Sequence, residues 1–159
     1  MPGAELAKRR ALRGLRDNRP AMADETLEVV LKQFEDTNSR DFGSVMDAYA
    51  EDVTLALHGE VGPLSNTATG KAAVGEWFGD WFRQFGRDYR FDIVESRGVG
   101  DRVFVLANHH GRGRGSGVPV EERWAYLYTV RGGKVSRVEL WNGHDAREAA
   151  LEALVEGSR

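Results

Sequence analysis

From Arg123 to Trp141 the chain reads Arg-Trp-Ala-Tyr-Leu-Tyr-Thr-Val, then Arg-Gly-Gly-Lys, then Val-Ser-Arg-Val-Glu-Leu-Trp. Two alternating runs around a glycine turn define a β-hairpin. Its register decides which side chains share a face, because a slip of one residue exchanges the faces. Two turns compete. One is a two-residue turn centred on Gly132-Gly133. The other is a type I turn with Gly133 left-handed, followed by a bulge. The second is preferred, since x-x-Gly-Lys loops commonly adopt it and Arg131 then needs no positive φ. It sets Val130 opposite Lys134, Tyr128 opposite Ser136, Tyr126 opposite Val138 and Trp124 opposite Leu140. One face then carries Trp124, Tyr126, Tyr128, Val138 and Leu140. The other carries Arg123, Ala125, Leu127, Thr129, Arg137, Glu139 and Trp141. The two-residue turn would shift the pairing by one and mix these sets. The first face, aromatic and hydroxyl-bearing, suits a small hydrophobic ligand.

At 159 residues the chain is expected to form one main domain with a real core. Its 41% hydrophobic and 30% charged content is that of a globular protein. It has no cysteine, which excludes disulfides, thiolate chemistry and Cys-ligated metals. No apolar run approaches the ~20 residues of a membrane span. The first 23 residues lack the apolar core of a secretion signal, so a cytoplasmic location is expected. These residues hold six Lys/Arg against Glu5 and Asp17, a net of +4, which leaves −7 of the total −3 for the rest. An acidic body argues against nucleic acid as a partner, and no membrane partner is expected. Residues 1–23 read as a flexible basic extension, and residues 24–156 as the folded domain.

Asp24 can cap a helix with Leu27, Val30, Leu31 and Phe34 on one face. Asp41 starts a second helix with Phe42, Val45, Met46 and Tyr49 at the same spacing. Val53–Leu57 reads as a strand, and Gly59–Gly70 as a loop. A third helix over 71–85 carries Val74, Trp77, Phe78, Trp81, Phe82 and Phe85. Strands follow over 89–95 and 102–110, then a glycine-rich connector at 111–117, then the hairpin. Asp145 with Glu148 resembles a capping box for a last helix, with Leu151, Leu154 and Val155 inward. The order predicts an α+β fold: a curved, mostly antiparallel sheet wrapped around N-terminal helices as a conical barrel, with a C-terminal helix.

Short motifs in this order carry a resemblance. They are Asn-Ser-Arg-Asp at 38–41, Tyr-Ala-Glu-Asp-Val at 49–53, Gly-Lys-Ala-Ala-Val at 70–74, Gly-Asp-Arg-Val at 100–103 and Gly-Gly-Lys-Val at 132–135. Over about residues 24–155 the chain resembles the nuclear transport factor 2-like superfamily, in its SnoaL-like branch of polyketide cyclase and ketosteroid isomerase relatives. The resemblance implies a ligand cavity between sheet and helices. It does not choose an activity, because the superfamily holds isomerases, cyclases, hydrolases, dehydratases and non-catalytic binders. Ketosteroid isomerases place an Asp-Pro base at the end of the first strand; here the stretch is Ala56-Leu57-His58-Gly59. Their oxyanion-hole tyrosine falls where Gln33 stands. Limonene epoxide hydrolases use an Arg-x-Asp pair and a further Asp where Ala107–His109 and Leu140 stand here. SnoaL-type cyclases often end the final strand in Asp, and here Asn142 holds that place, an amide that cannot act as a base.

What remains is a His, Glu and Tyr set. His109 shares the phase of Val103, Val105 and Ala107, which the resemblance turns toward the cavity. It is the candidate general base, or else a hydrogen-bonded structural histidine. Glu122 shares the phase of Trp124 and is a candidate acid or base, or else a solvated rim residue. Tyr126 is the third candidate catalytic residue, polarising a carbonyl. Tyr128 is a second such donor and Trp124 a wall of the pocket; each of these rings reads equally as core packing. Trp77, Trp81, Leu140, His58 and Asn142 complete the expected ligand-binding set, with core packing as the alternative for the tryptophans. No metal or cofactor is expected: the four histidines lack ligand spacing, and the glycine run at 111–117 lacks a phosphate loop's ending.

Two functions follow. One is a cofactor-independent isomerase- or cyclase-type enzyme on a hydrophobic, carbonyl-bearing substrate. The other is a non-catalytic small-molecule binder or accessory dimerisation domain. The second hairpin face, with Ala125, Leu127 and Trp141, suggests a homodimer.

Overall fold

In the computed structural model, residues 18–58, 66–86 and 88–157 are described. The elements are α1 (Asn18–Asn38), α2 (Phe42–Asp47), β1 (Tyr49–His58), β2 (Thr67–Thr69) and α3 (Lys71–Phe82), then β3 (Arg90–Val99), β4 (Arg102–Arg112), β5 (Pro119–Arg131), β6 (Lys134–Asn142) and α4 (Ala146–Gly157). The strands form one sheet in the order β2-β1-β6-β5-β4-β3. Every pairing is antiparallel except β1 with β6. This is the expected α+β architecture of N-terminal helices, curved open sheet and terminal helix.

Several local expectations change. Asp24 lies inside α1 and does not cap it, and residues 18–23 are already helical, whereas the rest of the expected extension lies outside the described residues. Thr67–Thr69, expected as loop, pair with Thr54–Ala56 as a short strand. Helix α3 stops at Phe82, and Phe85 instead bridges to Gly113.

The hairpin turn differs from the one preferred above, yet its faces are the same. Gly132 and Gly133 have φ of 59° and 77°, which is the two-residue turn that needs positive φ at both central positions. Arg131 pairs with Lys134 and Val130 with Val135, after which Thr129 pairs with Arg137. Ser136 is therefore an extra residue, a bulge one pair in from the turn. The turn alone would have exchanged the faces, and the bulge restores them. Tyr128 lies opposite Val138, Tyr126 opposite Leu140 and Trp124 opposite Asn142. The expected partners were off by two residues, a displacement that leaves every side chain on its own side.

The helical side of the sheet buries Val103, Val105, Trp124, Tyr126, Tyr128, Val138 and Leu140 against α1, α2 and α3. The opposite side is where the expected exposed patch fails. Ala125 and Leu127 are 0% and 1% exposed, covered by Ala146, Ala150 and Leu154 of α4 along with Phe104 and Leu106. Arg147 of α4 is fixed on Glu95 by contacts of 2.8 and 3.0 Å. Val155, expected inward, is exposed. The homodimer surface drawn from Ala125 and Leu127 is thus occupied by the chain's own last helix.

The Asn-Ser-Arg-Asp motif acts as the joint between helices and sheet. Asn38 donates Nδ2 to the Phe91 carbonyl and accepts the Phe91 N–H on Oδ1, each at 2.8 Å. Arg40, at a positive φ of 64°, donates to the carbonyls of Thr37 and Tyr89. Asp41 caps α2 through the Ser44 amide. The motif therefore holds the edge strand β3 against the end of α1. We expect Asn38→Ala, which removes both bonds to Phe91, to lower unfolding free energy by about 1–3 kcal/mol, read from denaturant midpoints at unchanged slope.

Candidate functional site

Between the helices and the sheet lies a cavity of about 320 Å³, at the lower end of the range for small-molecule sites. Helix α3 contributes Gly75, Phe78, Gly79 and Phe82, one helical face at i, i+3, i+4 and i+7. Val74, Trp77 and Trp81 of the expected stripe do not line the cavity. The single stripe expected from the sequence is therefore two faces, one of packing and one of cavity wall. Helix α1 adds Gln33, Phe34 and Thr37, and α2 adds Phe42, Val45 and Met46, followed by Tyr49. From the sheet come Phe91, Tyr126 and Tyr128. Phe34 meets Tyr126 edge-on at 5.1 Å and Tyr128 at 6.0 Å, so the wall is largely aromatic.

Its polar groups are few. Gln33 is 3% exposed, and its Oε1 has no hydrogen-bond partner among the described residues. An enclosed amide oxygen left unpaired costs about 1–3 kcal/mol. The phenols of Tyr49 and Tyr128 also belong to the lining. Burial raises the pKa of both, and of Tyr126, whose neighbours Tyr128, Tyr89 and Tyr49 push it further. All three phenols are therefore neutral donors at working pH.

His109 points into the helical side of the sheet, as its phase predicted, but it does not line the cavity. Phe91 covers it at 4.3 Å and Trp124 stacks on it at 5.2 Å. Its Nδ1 lies 2.7 Å from the Tyr89 hydroxyl and its Nε2 lies 2.7 Å from the Tyr126 hydroxyl. The Trp81 indole donates to Tyr89 at 3.2 Å. An indole can only donate, so the Tyr89 oxygen accepts from Trp81 and its O–H is free to donate to Nδ1, in the tautomer whose Nε2–H donates to Tyr126. Both imidazole nitrogens are spent inside the protein. Tyr89 itself, absent from the sequence-derived set, was findable only as the aromatic that opens the strand expected over 89–95. Gly111 admits it: a Cβ there would lie 2.5 Å from the Tyr89 ring.

The other expected site residues separate from the cavity. Trp124 donates its indole N–H to Glu122 at 2.8 Å and packs against Trp81 at 4.9 Å. Glu122 is exposed and lies outside the lining. Trp77 and Trp81 stack on each other, and Leu140 is core. His58 is exposed on the outer side, stacked on Trp141 at 4.7 Å and 3.3 Å from Glu139. Asn142 pairs with Trp124 at the end of β6. Of the expected set, Tyr126 and Tyr128 reach the cavity wall. Gln33, Tyr49, Gly75 and Gly79 are among the additions. The two glycines gave a readable signal, since each costs an interior helix roughly 1 kcal/mol relative to alanine.

Helices on one side of a six-stranded open sheet, closed beneath by a terminal helix, define the nuclear transport factor 2-like fold. TerC co-crystallised with polyporic acid matches with a TM-score of 0.66 at 22% identity, over 83% of this chain and 98% of TerC. An NTF2-like protein from Burkholderia xenovorans LB400 matches with 0.62 at 24% identity, over 80% of this chain and 96% of that one. A protein with a ketosteroid isomerase-like fold from Catenulispora acidiphila DSM 44928, in complex with trimethylamine, matches with 0.63 at 19% identity, over 77% and 91%. Such identities establish a shared fold. The SnoaL-like domain model matches residues 30–138, and the chain belongs to that family. No curated protein matches the sequence significantly.

Burial, with a smaller contribution from His110, holds His109 down to about 3, against about 6.5 when unfolded. Below pH 6.5 the unfolded chain therefore takes up a proton that the folded chain refuses. The stability concerned is fully present above about pH 6.5 and falls as pH drops toward 3, by at most about 1.4 kcal/mol per unit. We expect imidazole NMR signals of His109 to stay those of the neutral ring from pH 8 to pH 5. A titration midpoint above pH 6 would contradict the enclosed placement.

Proposed function

We propose that the protein is a non-catalytic binder of a small, mostly apolar molecule carrying a carbonyl or similar acceptor. The single observation behind this reading is the lining. Aromatic walls surround the Tyr128 and Tyr49 hydroxyls and the Gln33 amide, and no carboxylate, histidine or lysine lies among the described residues that line the cavity. Neutral donors in a dry pocket can orient and polarise a carbonyl oxygen. Abstracting a proton beside that carbonyl needs a base, and phenols held above their ordinary pKa do not supply one at neutral pH. The isomerase or cyclase reading with His109 as base and Tyr126 as polariser is disfavoured by the two tyrosines that occupy its nitrogens. That TerC was co-crystallised with polyporic acid, and another relative solved with trimethylamine, supports small molecules as the ligand class.

The probes are 2-acetylnaphthalene and 2-ethylnaphthalene, alike in girth and different in the acceptor. We expect tighter binding of the ketone by calorimetry. Tyr128→Phe should weaken the ketone roughly 2- to 10-fold, as one hydrogen bond of 0.5–1.5 kcal/mol implies, and leave the hydrocarbon unchanged. Equal affinity of the wild-type protein for both probes would remove the acceptor from the proposal.

Homodimerisation belongs to the same proposal, on a narrower surface than expected. The strip of outer sheet bearing His58 and Trp141 beside Arg137 and Glu139 is the surface we assign to it. Light scattering at micromolar concentration should give twice the 17.7 kDa chain mass. A monomer mass would withdraw the dimer.

A further inference from the structure

We infer that Gly79, assisted by Gly75, sets the girth of the molecule that the cavity accepts, by leaving the α3 backbone bare between Phe78 and Phe82. The inference rests on the small-molecule reading above and adds the residues that limit ligand size.

Glycine inside a helix has a small number of explanations. A positive φ is one, and neither Gly75 nor Gly79 has it. Close approach of another chain segment is a second. On strand β4 it is the explanation for Gly111, where a Cβ would meet the Tyr89 Cα at 2.8 Å. It holds only in part for Gly75, whose Cβ would lie 3.2 Å from the flexible end of Met46, itself a cavity residue. It fails for Gly79, whose Cβ would meet, among the described residues, only Arg83 Nη1 at 3.4 Å, the tip of the flexible, exposed side chain that follows the helix. What distinguishes Gly79 is its place on the cavity wall, on the face shared with Phe78 and Phe82. The fold tolerates a methyl there, so the missing methyl leaves room for a ligand.

A second, independent sign of an occupant lies in the same cavity. Gln33 is buried with its Oε1 unpartnered, and folded proteins seldom leave such an atom unpaired. A molecule that presents an N–H or O–H donor to Gln33 Oε1 while resting on the α3 backbone would satisfy that oxygen and use the space that the glycines keep open.

The assignment predicts opposite effects of one methyl on stability and on binding. Gly79→Ala should raise the melting temperature by about 2–4 °C through helix propensity. It should also weaken 2-acetylnaphthalene and 2-ethylnaphthalene by tenfold or more, and the slimmer acetophenone by less than threefold. Gly75→Ala should weaken the naphthalenes likewise, and its melting curve verifies folding. A folded Gly79→Ala that binds both naphthalenes like the wild type overturns the inference, as does a lowered melting temperature, which would make the glycine a packing residue. A penalty on both naphthalenes without any preference for the ketone supports the girth assignment while removing the acceptor reading. Failure of the wild-type protein to bind either naphthalene overturns both.

Discussion

Strand β5 is buried on both faces, from Trp124 through Val130 without interruption. A strand can satisfy that condition only if one layer lies above it and another below. The even-numbered rings meet the helices α1 and α3, and the odd-numbered Ala125 and Leu127 meet α4. The cavity exists because the upper layer is built from large aromatic side chains on separate helices that cannot all reach the sheet. Trp77, Trp81 and Trp124 fill one end, while Gly75 and Gly79 leave the other unfilled.

How far this was legible in the sequence depends on the range of the interaction concerned. The parity of the hairpin is a local property, so Trp124, Tyr126 and Tyr128 fell on the correct side although the turn type was misjudged. The error was harmless because the Ser136 bulge compensates for the tighter turn. The helix-spaced stripe of α3 was legible as apolar. Its division into a packing face and a cavity face was not, because periodicity says which residues are buried and not against what. The outer face showed the same limit. Ala125, Leu127 and Trp141 interspersed with Arg137 and Glu139 form a surface that wants a cover, and alternation cannot distinguish a partner subunit from the chain's own α4.

His109 shows where residue chemistry alone misleads. A histidine of the right phase beside tyrosines has the composition of an acid–base site. The distances turn it into a fastener: the chain from Trp81 through Tyr89 and His109 to Tyr126 ties together α3, the residue that leads into β3, and strands β4 and β5. Removing the imidazole would leave the Tyr126 hydroxyl without the partner it has here and the Tyr89 hydroxyl with Trp81 alone, the expensive side of hydrogen-bond energetics. Such a network rigidifies the wall on which Tyr126 sits. The neutrality of His109 follows from its burial, which holds the imidazole well below its ordinary pKa.

The marks of function in this chain are places where foldability is given up. Two interior glycines at roughly 1 kcal/mol each and an unpaired buried amide at about 1–3 kcal/mol amount to a sizeable part of a typical stability of 5–15 kcal/mol. Among the described residues, nothing packed around Gly79 requires its cost and none relieves that of Gln33. The catalytic carboxylates of the wider superfamily are missing from the aligned positions, so motif matching points to no activity. Local departures from the most stable choice point instead to the cavity, where the glycines withhold volume and the amide withholds a hydrogen bond. A bound molecule of the right girth and polarity would supply both.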